Sequence, residues 1–387
     1  MRRIQWGILC LSLFTLAVLN ASGQSITPEF TKAGIVYRYI WKDFQDAQLV
    51  MKTDDQVLQI LAIRSGELQQ KTAGGFATRA TVNGLWHAYQ NADKSWTSNG
   101  VVTDLTAPAL ESIQFARALL AVERGEVRLA AASDRSGRLH VVILKSGAGQ
   151  AEKRFSYAVR DNDNQWHVML SDPIPDDLAQ PICFPPAEGN LMILMGLVQG
   201  EGNGSRIARY TLSPMIGGGQ DSFRWTRELF PENLQAKAFA AVEDSRTFVM
   251  LYQNAEDGNF KAVDRDVATG KWNFDPQRFE KNFEGNITKV TFKNLSGFLG
   301  RDGLPQVIGF YSGAEAVYHF YRDENGRWHN NDAVLSVGDL KRVAACLDGQ
   351  GLFNISGVTN DGRIWHGFRG ERLEWRNNGL IYNPNSH

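Results

Sequence analysis

The chain has 387 residues and is close to electrically neutral, with 41 lysine and arginine residues against 42 aspartate and glutamate residues. Such a balance gives no basic surface of the kind that binds nucleic acid and no field that would hold the chain on an anionic membrane. Beyond the first residues, no stretch approaches the roughly 20 consecutive apolar residues that a membrane span needs. Composition therefore predicts a protein that binds no nucleic acid and does not span a membrane.

The first residues have the layout of a secretory signal peptide. Arg2 and Arg3 precede an apolar run over residues 8–19, and Ala21-Ser22-Gly23 supplies the small residues of a cleavage site. The apolar run is too short to cross a bilayer. We therefore predict a signal peptide over residues 1–23 and an exported protein, either periplasmic or extracellular.

Tryptophan marks a repeat along the rest of the chain. Six tryptophans recur 47 to 70 residues apart, and most follow a turn rich in Asp, Asn or Gly, which tolerate the backbone of short hairpin loops. They are Trp96, Trp166, Trp225, Trp272, Trp328 and Trp375. Upstream of each lie short apolar runs bounded by turn residues, such as 57–63, 191–198 and 306–311. A repeat of roughly 40–50 residues with four strands is a propeller blade, so we predict an all-β protein with a single β-propeller domain over 24–387.

The number of blades is six on this count, with seven as the alternative. The segment 34–52 would supply two further strands, which either close the ring or belong to a seventh blade. The segment 108–123 interrupts the pattern and is predicted to be either a short helix between blades or a strand.

Two cysteines remain after the signal peptide, Cys183 and Cys346. Each falls in the first strand of its repeat, and the repeats are the third and the sixth, which face each other across a six-blade ring. A disulfide needs Cα atoms closer than about 7 Å. We therefore predict two free, buried thiols.

Three repeats share an aromatic residue followed by His, with a second aromatic two residues after the His and a Trp ten residues after the first aromatic. These residues are Trp86, His87, Tyr89 and Trp96; Tyr318, His319, Tyr321 and Trp328; and Trp365, His366, Phe368 and Trp375. In one interpretation the aromatics pack between blades while the His faces the other way into a hydrogen bond. In the other, aromatic faces exposed between blades stack on sugar rings, with Trp86 and Trp365 as the faces and His87 and His366 as polar partners.

The segment 83–100 (NGLWHAYQNADKSWTSNG) resembles the W-H repeat of bacterial seven-bladed propeller lectins, and 361–379 shares the pattern. The resemblance implies a propeller that binds fucose-like sugars at sites between blades. Tyr89 and Phe368 stand where that family often has Trp.

These features favour an exported, non-catalytic propeller that binds a glycan or a surface glycoconjugate, without cofactor or metal. A structural or protein-interaction propeller is the first alternative. A sialidase-like glycoside hydrolase is the second and would need a pair of carboxylates facing a cleft. The candidates Asp161, Asp163, Asp264 and Asp266 stand where hairpin turns are expected.

Overall fold

The structure is a computed structural model. It describes residues 25–26, 29–32, 34–102, 127–145, 155–171, 174, 176–185, 192–199, 205–214, 222–228, 230, 234–244, 246–274, 279 and 290–382. The predicted signal peptide and the segment 108–123 lie outside the described residues, so both stay predictions.

The strands form six blades, each made of four consecutive antiparallel strands. Blade 1 consists of Ile35–Met51, Leu58–Thr72, Gly75–Gln90 and Trp96–Val101, blade 2 of Val127–Ser133, Leu139–Lys145, Phe155–Arg160 and Trp166–Ser171, and blade 3 of Leu178–Phe184, Met192–Gln199, Ser205–Pro214 and Ser222–Glu228. Blade 4 consists of Gln235–Glu243, Thr247–Asn254, Phe260–Asp266 and Trp272–Asn273, blade 5 of Asn294–Leu299, Pro305–Tyr311, Ala316–Arg322 and Trp328–Ser336, and blade 6 of Leu340–Leu347, Phe353–Thr359, Ile364–Arg369 and Trp375–Tyr382.

A few short elements accompany the blades. The strands Ser25–Ile26 and Phe30–Lys32 pair with the first strand of blade 1, and Ser312–Ala314 is a 3-10 turn in blade 5. Within the described ranges, no helix is long and apolar enough to cross a membrane. The all-β prediction is confirmed.

The blades close into a ring because the first strand of each contacts the first strands of both neighbours, and blade 6 contacts blade 1 in the same way. The repeat seen in the sequence is the blade itself, since five of the six marker tryptophans open a fourth strand and Trp225 lies inside one.

The expectation of two strands in 34–52 was wrong. Ile35–Met51 is one 17-residue strand that supplies the innermost strand of blade 1, so it completes six blades and starts no seventh.

The core is divided into clusters that lie between neighbouring blades, one at each of the six interfaces. Successive side chains of a strand point to opposite faces of a sheet. In the second strand of blade 1, Leu61 and Ile63 therefore pack toward blade 2, while Ile60 and Ala62 pack toward blade 6. All four are fully buried, and burying each large aliphatic side chain contributes about 1.5–3 kcal/mol.

Two polar side chains, those of Arg342 and Gln180, lie at the axis of the ring and donate hydrogen bonds to other blades. The guanidinium of Arg342 in blade 6 donates to the carboxylate of Asp46 in blade 1 and the carbonyl of Leu129 in blade 2, both at 2.9 Å, and to the carbonyl of Pro181 in blade 3. Blades 3 and 6 stand opposite each other, so Arg342 spans the axis.

Gln180 completes this arrangement from a bulge in the first strand of blade 3, where its φ is 47°. Its side-chain amide donates to the carbonyls of Lys237 in blade 4 (3.0 Å) and Lys293 at the start of blade 5 (2.8 Å). Arg342 and Gln180 thus connect all six blades.

The cysteines lie in the first strands of blades 3 and 6, and both are free thiols, as predicted. Each side chain is partly rather than fully buried, and Cys183 packs on the core between blades 2 and 3, while Cys346 packs on the core between blades 6 and 1. Desolvation raises the pKa of both thiols, so neither is a reactive thiolate at neutral pH.

Candidate ligand-binding clefts between the blades

The aromatic residue that precedes each histidine is a packing residue. Trp86 and Trp365 are 1% and 3% exposed, and each lies in an inter-blade core on the opposite face of its strand from the histidine. Tyr318 likewise packs on the core between blades 4 and 5, where it contacts Phe292. Trp86 and Trp365 therefore have no free face for a sugar, which corrects that part of the sequence interpretation.

The second aromatic of the motif lies on the same face as the histidine. The ring centroids are 6.4 Å apart for His87 and Tyr89, and 6.0 Å apart for His319 and Tyr321. The interpretation that both aromatics share a face was wrong, because residues three apart on a strand point to opposite sides.

Each of the three histidines is buried and held by two side-chain amides of its own blade. An asparagine Nδ2 donates to the ring Nδ1, so Nε2 carries the proton and donates to a side-chain amide oxygen of the second strand. The donors are Asn99, Asn331 and Asn378, and the acceptors are Gln59, Gln306 and Asn354, for His87, His319 and His366 in that order. Burial lowers the pKa of His87 and His319 to about 3 and that of His366 to about 4, so all three are neutral at physiological pH.

The asparagines were missed in the sequence, although their spacing is readable. Each stands three residues after the Trp that opens the fourth strand, and the next residue has a positive φ: Gly100 (71°), Asp332 (58°) and Gly379 (68°). At Gly100 and Gly379 the strand pairing also shifts register beside the histidine. This bulge brings the asparagine side chain to the ring nitrogen of the histidine.

The next blade covers each histidine with the edge or face of a tryptophan. The centroid distances are 6.3 Å from His87 to Trp166, 5.5 Å from His319 to Trp375 and 5.4 Å from His366 to Trp96. The angles between the ring planes are 78°, 62° and 73° in the same order. The motif therefore builds three similar clefts, named here by their blades: cleft 1/2, cleft 5/6 and cleft 6/1. Tyr89, Tyr321 and Phe368 lie beside the histidines of these clefts in the same order.

Cleft 5/6 opens into a cavity of about 950 Å³. Its walls include Gln306, His319 and Tyr321 of blade 5 and Phe353, Arg369 and Leu373 of blade 6. The guanidinium of Arg369 lies 5.5 Å from the ring centroid of Phe353 and 5.7 Å from that of Trp375. Arg369 is one of the lining residues and donates from Nε to the carbonyl of Leu373 at 3.2 Å. Its terminal nitrogens have no acceptor among the described residues.

The other two histidines that follow a Trp lie on the fourth strands of blades 2 and 5 and bond to aspartates of the preceding turns. His167 pairs with Asp161 at 2.6 Å, and His329 pairs with Asp323 at 2.8 Å. Each of these aspartates also accepts from a backbone N–H of its hairpin, and these hydrogen bonds help to lower the pKa of both carboxyls.

Two of the other carboxylates considered as an acid/base pair, Asp264 and Asp266, are also engaged in structure. Asp264 pairs with Arg322 at 2.9 Å, and Asp266 caps a turn through Thr269. Within the part of the chain that the structure describes, no group of three His, Cys, Asp or Glu side chains is placed to hold a metal ion.

Six four-stranded blades around a closed axis define a six-bladed β-propeller. No protein-family model matches the chain, and no curated protein matches it in sequence.

Several solved structures share the fold. A mutant of the Aleuria aurantia lectin in complex with α-methyl-L-fucoside has a TM-score of 0.53 and 12% identity, over 89% of this chain and 98% of that chain. Another structure of this fungal lectin, described as a six-bladed β-propeller with a novel mode of fucose recognition, gives 0.52 and 12% over the same shares. The SapL1 lectin in complex with α-methyl fucoside gives 0.50 and 13%, again over 89% and 98%. The sequence resemblance to lectin propellers thus agrees with the fold, although these structural neighbours are not the bacterial W-H type.

Proposed function

We propose that this protein is a non-catalytic, glycan-binding propeller and that it binds sugar in cleft 5/6. The observation that carries the proposal is the Arg369 guanidinium, which lies over two aromatic rings in an open cavity with donors to spare. The shared fold with lectins whose structures contain α-methyl fucoside supports a fucose-like sugar as the first candidate.

The chemistry of the cleft suits a neutral sugar. A planar guanidinium donates in parallel to two adjacent hydroxyl oxygens, and partly exposed aromatic rings offer apolar surface to the C–H face of the sugar. Phe353 and Trp375 keep such partial exposure. His319, neutral and held by two amides, fixes the floor of the cleft and adds no charge to it.

The W-H repeat is, on this proposal, the scaffold of the cleft and not its stacking face. We also propose export after removal of residues 1–23, which N-terminal sequencing of the secreted or periplasmic protein would test. Ligand and location are independent parts of the proposal.

A glycan array on residues 24–387, followed by titration with α-methyl-L-fucoside, tests the function. We expect Arg369→Ala to weaken binding by about 10- to 100-fold, since hydrogen bonds from a charged group contribute about 1.5–3 kcal/mol.

The matched control is Arg265→Ala. Arg265 is the next-to-last residue of the third strand of blade 4 and lies 5.5 Å from the ring centroid of Trp272, close to the 5.7 Å between Arg369 and Trp375. Unlike Arg369, it is paired with Glu228 at 3.6 Å. This variant should bind like the unmodified protein. An array without any bound glycan would contradict the proposed function, and glycan release with a free reducing end would favour the hydrolase instead.

A further inference from the structure

The three histidine clefts share their floor but differ at two turn positions and at the last residue of the third strand. In cleft 5/6 these positions hold Gly300, Leu373 and Arg369. Leu373 is 65% exposed, and the backbone N–H groups of Gly300 and Leu373 close their hairpin turns. Nothing at the two turn positions reaches across the cleft, and Arg369 is left for a ligand.

Cleft 6/1 has Asp348, Lys94 and Gln90 at the same three positions. The positions correspond because their backbones do. Lys94 and Leu373 have φ values of 67° and 64°, and the backbone N–H of each donates to the carbonyl three residues before it. The backbone N–H groups of Asp348 and Gly300 each donate to the carbonyl four residues after them. The ammonium of Lys94 in blade 1 lies 3.3 Å from the carboxylate of Asp348 in blade 6. This ion pair bridges the mouth of cleft 6/1, and the arginine is absent.

Cleft 1/2 is filled in another way. Its arginine, Arg160, donates to Oε1 of Gln59 at 3.2 Å, the same oxygen that accepts from His87. Trp166 is only 6% exposed, whereas Trp375 keeps partial exposure. In cleft 1/2 one terminal nitrogen of Arg160 is therefore already bonded within the protein, and Trp166 offers a sugar little exposed ring.

We propose that only one of the three histidine clefts, cleft 5/6, binds a glycan. Lys94 and Asp348 act as specificity-determining residues, because their ion pair closes cleft 6/1. This inference rests on the proposed function. It predicts that the three histidine clefts together bind one sugar. It also predicts that cleft 6/1 does not bind because of the side chains of Gln90, Lys94 and Asp348.

Native mass spectrometry with saturating α-methyl-L-fucoside tests the inference, with a non-binding sugar to correct for nonspecific adducts. We expect one specific adduct on the unmodified protein and none on Arg369→Ala. The triple variant Gln90→Arg, Lys94→Leu and Asp348→Gly copies cleft 5/6 into cleft 6/1 and should carry two.

The outcomes separate the two proposals. Two or more adducts on the unmodified protein, or one retained by Arg369→Ala, would overturn the single-cleft inference while glycan binding stands. No adduct on the unmodified protein would count against the proposed function itself. A triple variant that is folded by circular dichroism but still carries one adduct would overturn the role of Lys94 and Asp348.

Discussion

The axis of the ring and cleft 5/6 use the same kinds of polar side chain in opposite ways. At the axis, the guanidinium of Arg342 is bonded to groups from three other blades, and its charge is matched by the buried Asp46. In cleft 5/6, the guanidinium of Arg369 lies over aromatic rings and bonds to one carbonyl of its own blade. An arginine whose terminal nitrogens are bonded to other blades stabilises the fold, whereas one whose terminal nitrogens are unused is available to a ligand. Stability and binding should therefore respond separately to mutation at the two places.

The largest expected effect is at the axis. Arg342→Ala leaves the Asp46 carboxylate buried without its partner, and breaking a buried pair in this way costs about 3–5 kcal/mol. Urea unfolding should show this loss while α-methyl-L-fucoside binding to the folded protein is unchanged. The double variant Arg342→Ala and Asp46→Asn should recover part of the loss, and a loss below about 1 kcal/mol for the single variant would contradict the role of the axis.

An effect of similar size is expected for Trp86, which the structure places in the core between blades 6 and 1. Trp86→Ala should lower the free energy of unfolding by about 3–5 kcal/mol, as for other large core truncations. Trp375→Ala removes a partly exposed ring and should cost less stability but weaken glycan binding. Trp86→Ala should therefore lower the melting temperature more, and Trp375→Ala should lower the affinity more. A loss of binding confined to Trp86→Ala would instead identify Trp86 as a site residue.

The smallest effect is expected from mild acid, between about pH 6.5 and 5. His87, His319 and His366 have pKa values of about 3 to 4 in the folded protein against about 6.5 when unfolded, so below pH 6.5 the unfolded chain binds more protons. Their contribution is complete above pH 6.5 and declines as the pH falls toward 4, by about 1.4 kcal/mol per pH unit for each histidine.

The window between pH 6.5 and 5 reports on the buried histidines, these three and His140, whose pKa burial also lowers, because the turn carboxylates with lowered pKa values respond only in stronger acid. Unfolding free energies measured across this window should decrease, with a shallower slope for His319→Gln. A flat profile would show that the histidines are charged or exposed in the folded state.

The sequence was informative where a signal is local and repeated. The turn-and-Trp pattern located the blades because Trp opens the fourth strand, and the histidine motif identified the strands that build the clefts. Strand periodicity alone would have placed Tyr89 beside His87 and Trp86 away from it, and the spacing from Trp96 to Asn99 was visible.

The remaining features depend on neighbours that are distant in the chain. Lys94 and Asp348 are 254 residues apart, and Arg342 and Pro181 are 161 apart. Such pairs meet only after the ring has closed, and neither residue carries a local pattern that points to the other.

The connection across the axis has a consequence for biosynthesis. The ribosome delivers blade 1 first and blade 6 last, and each described blade is assembled from consecutive strands, so a nascent chain can complete its blades one at a time. Arg342 belongs to the last blade, yet its partners Asp46, Leu129 and Pro181 belong to the first three. The acceptors on the first three blades therefore lack this donor until blade 6 has formed, so the blade that is synthesised last is the one that locks the ring.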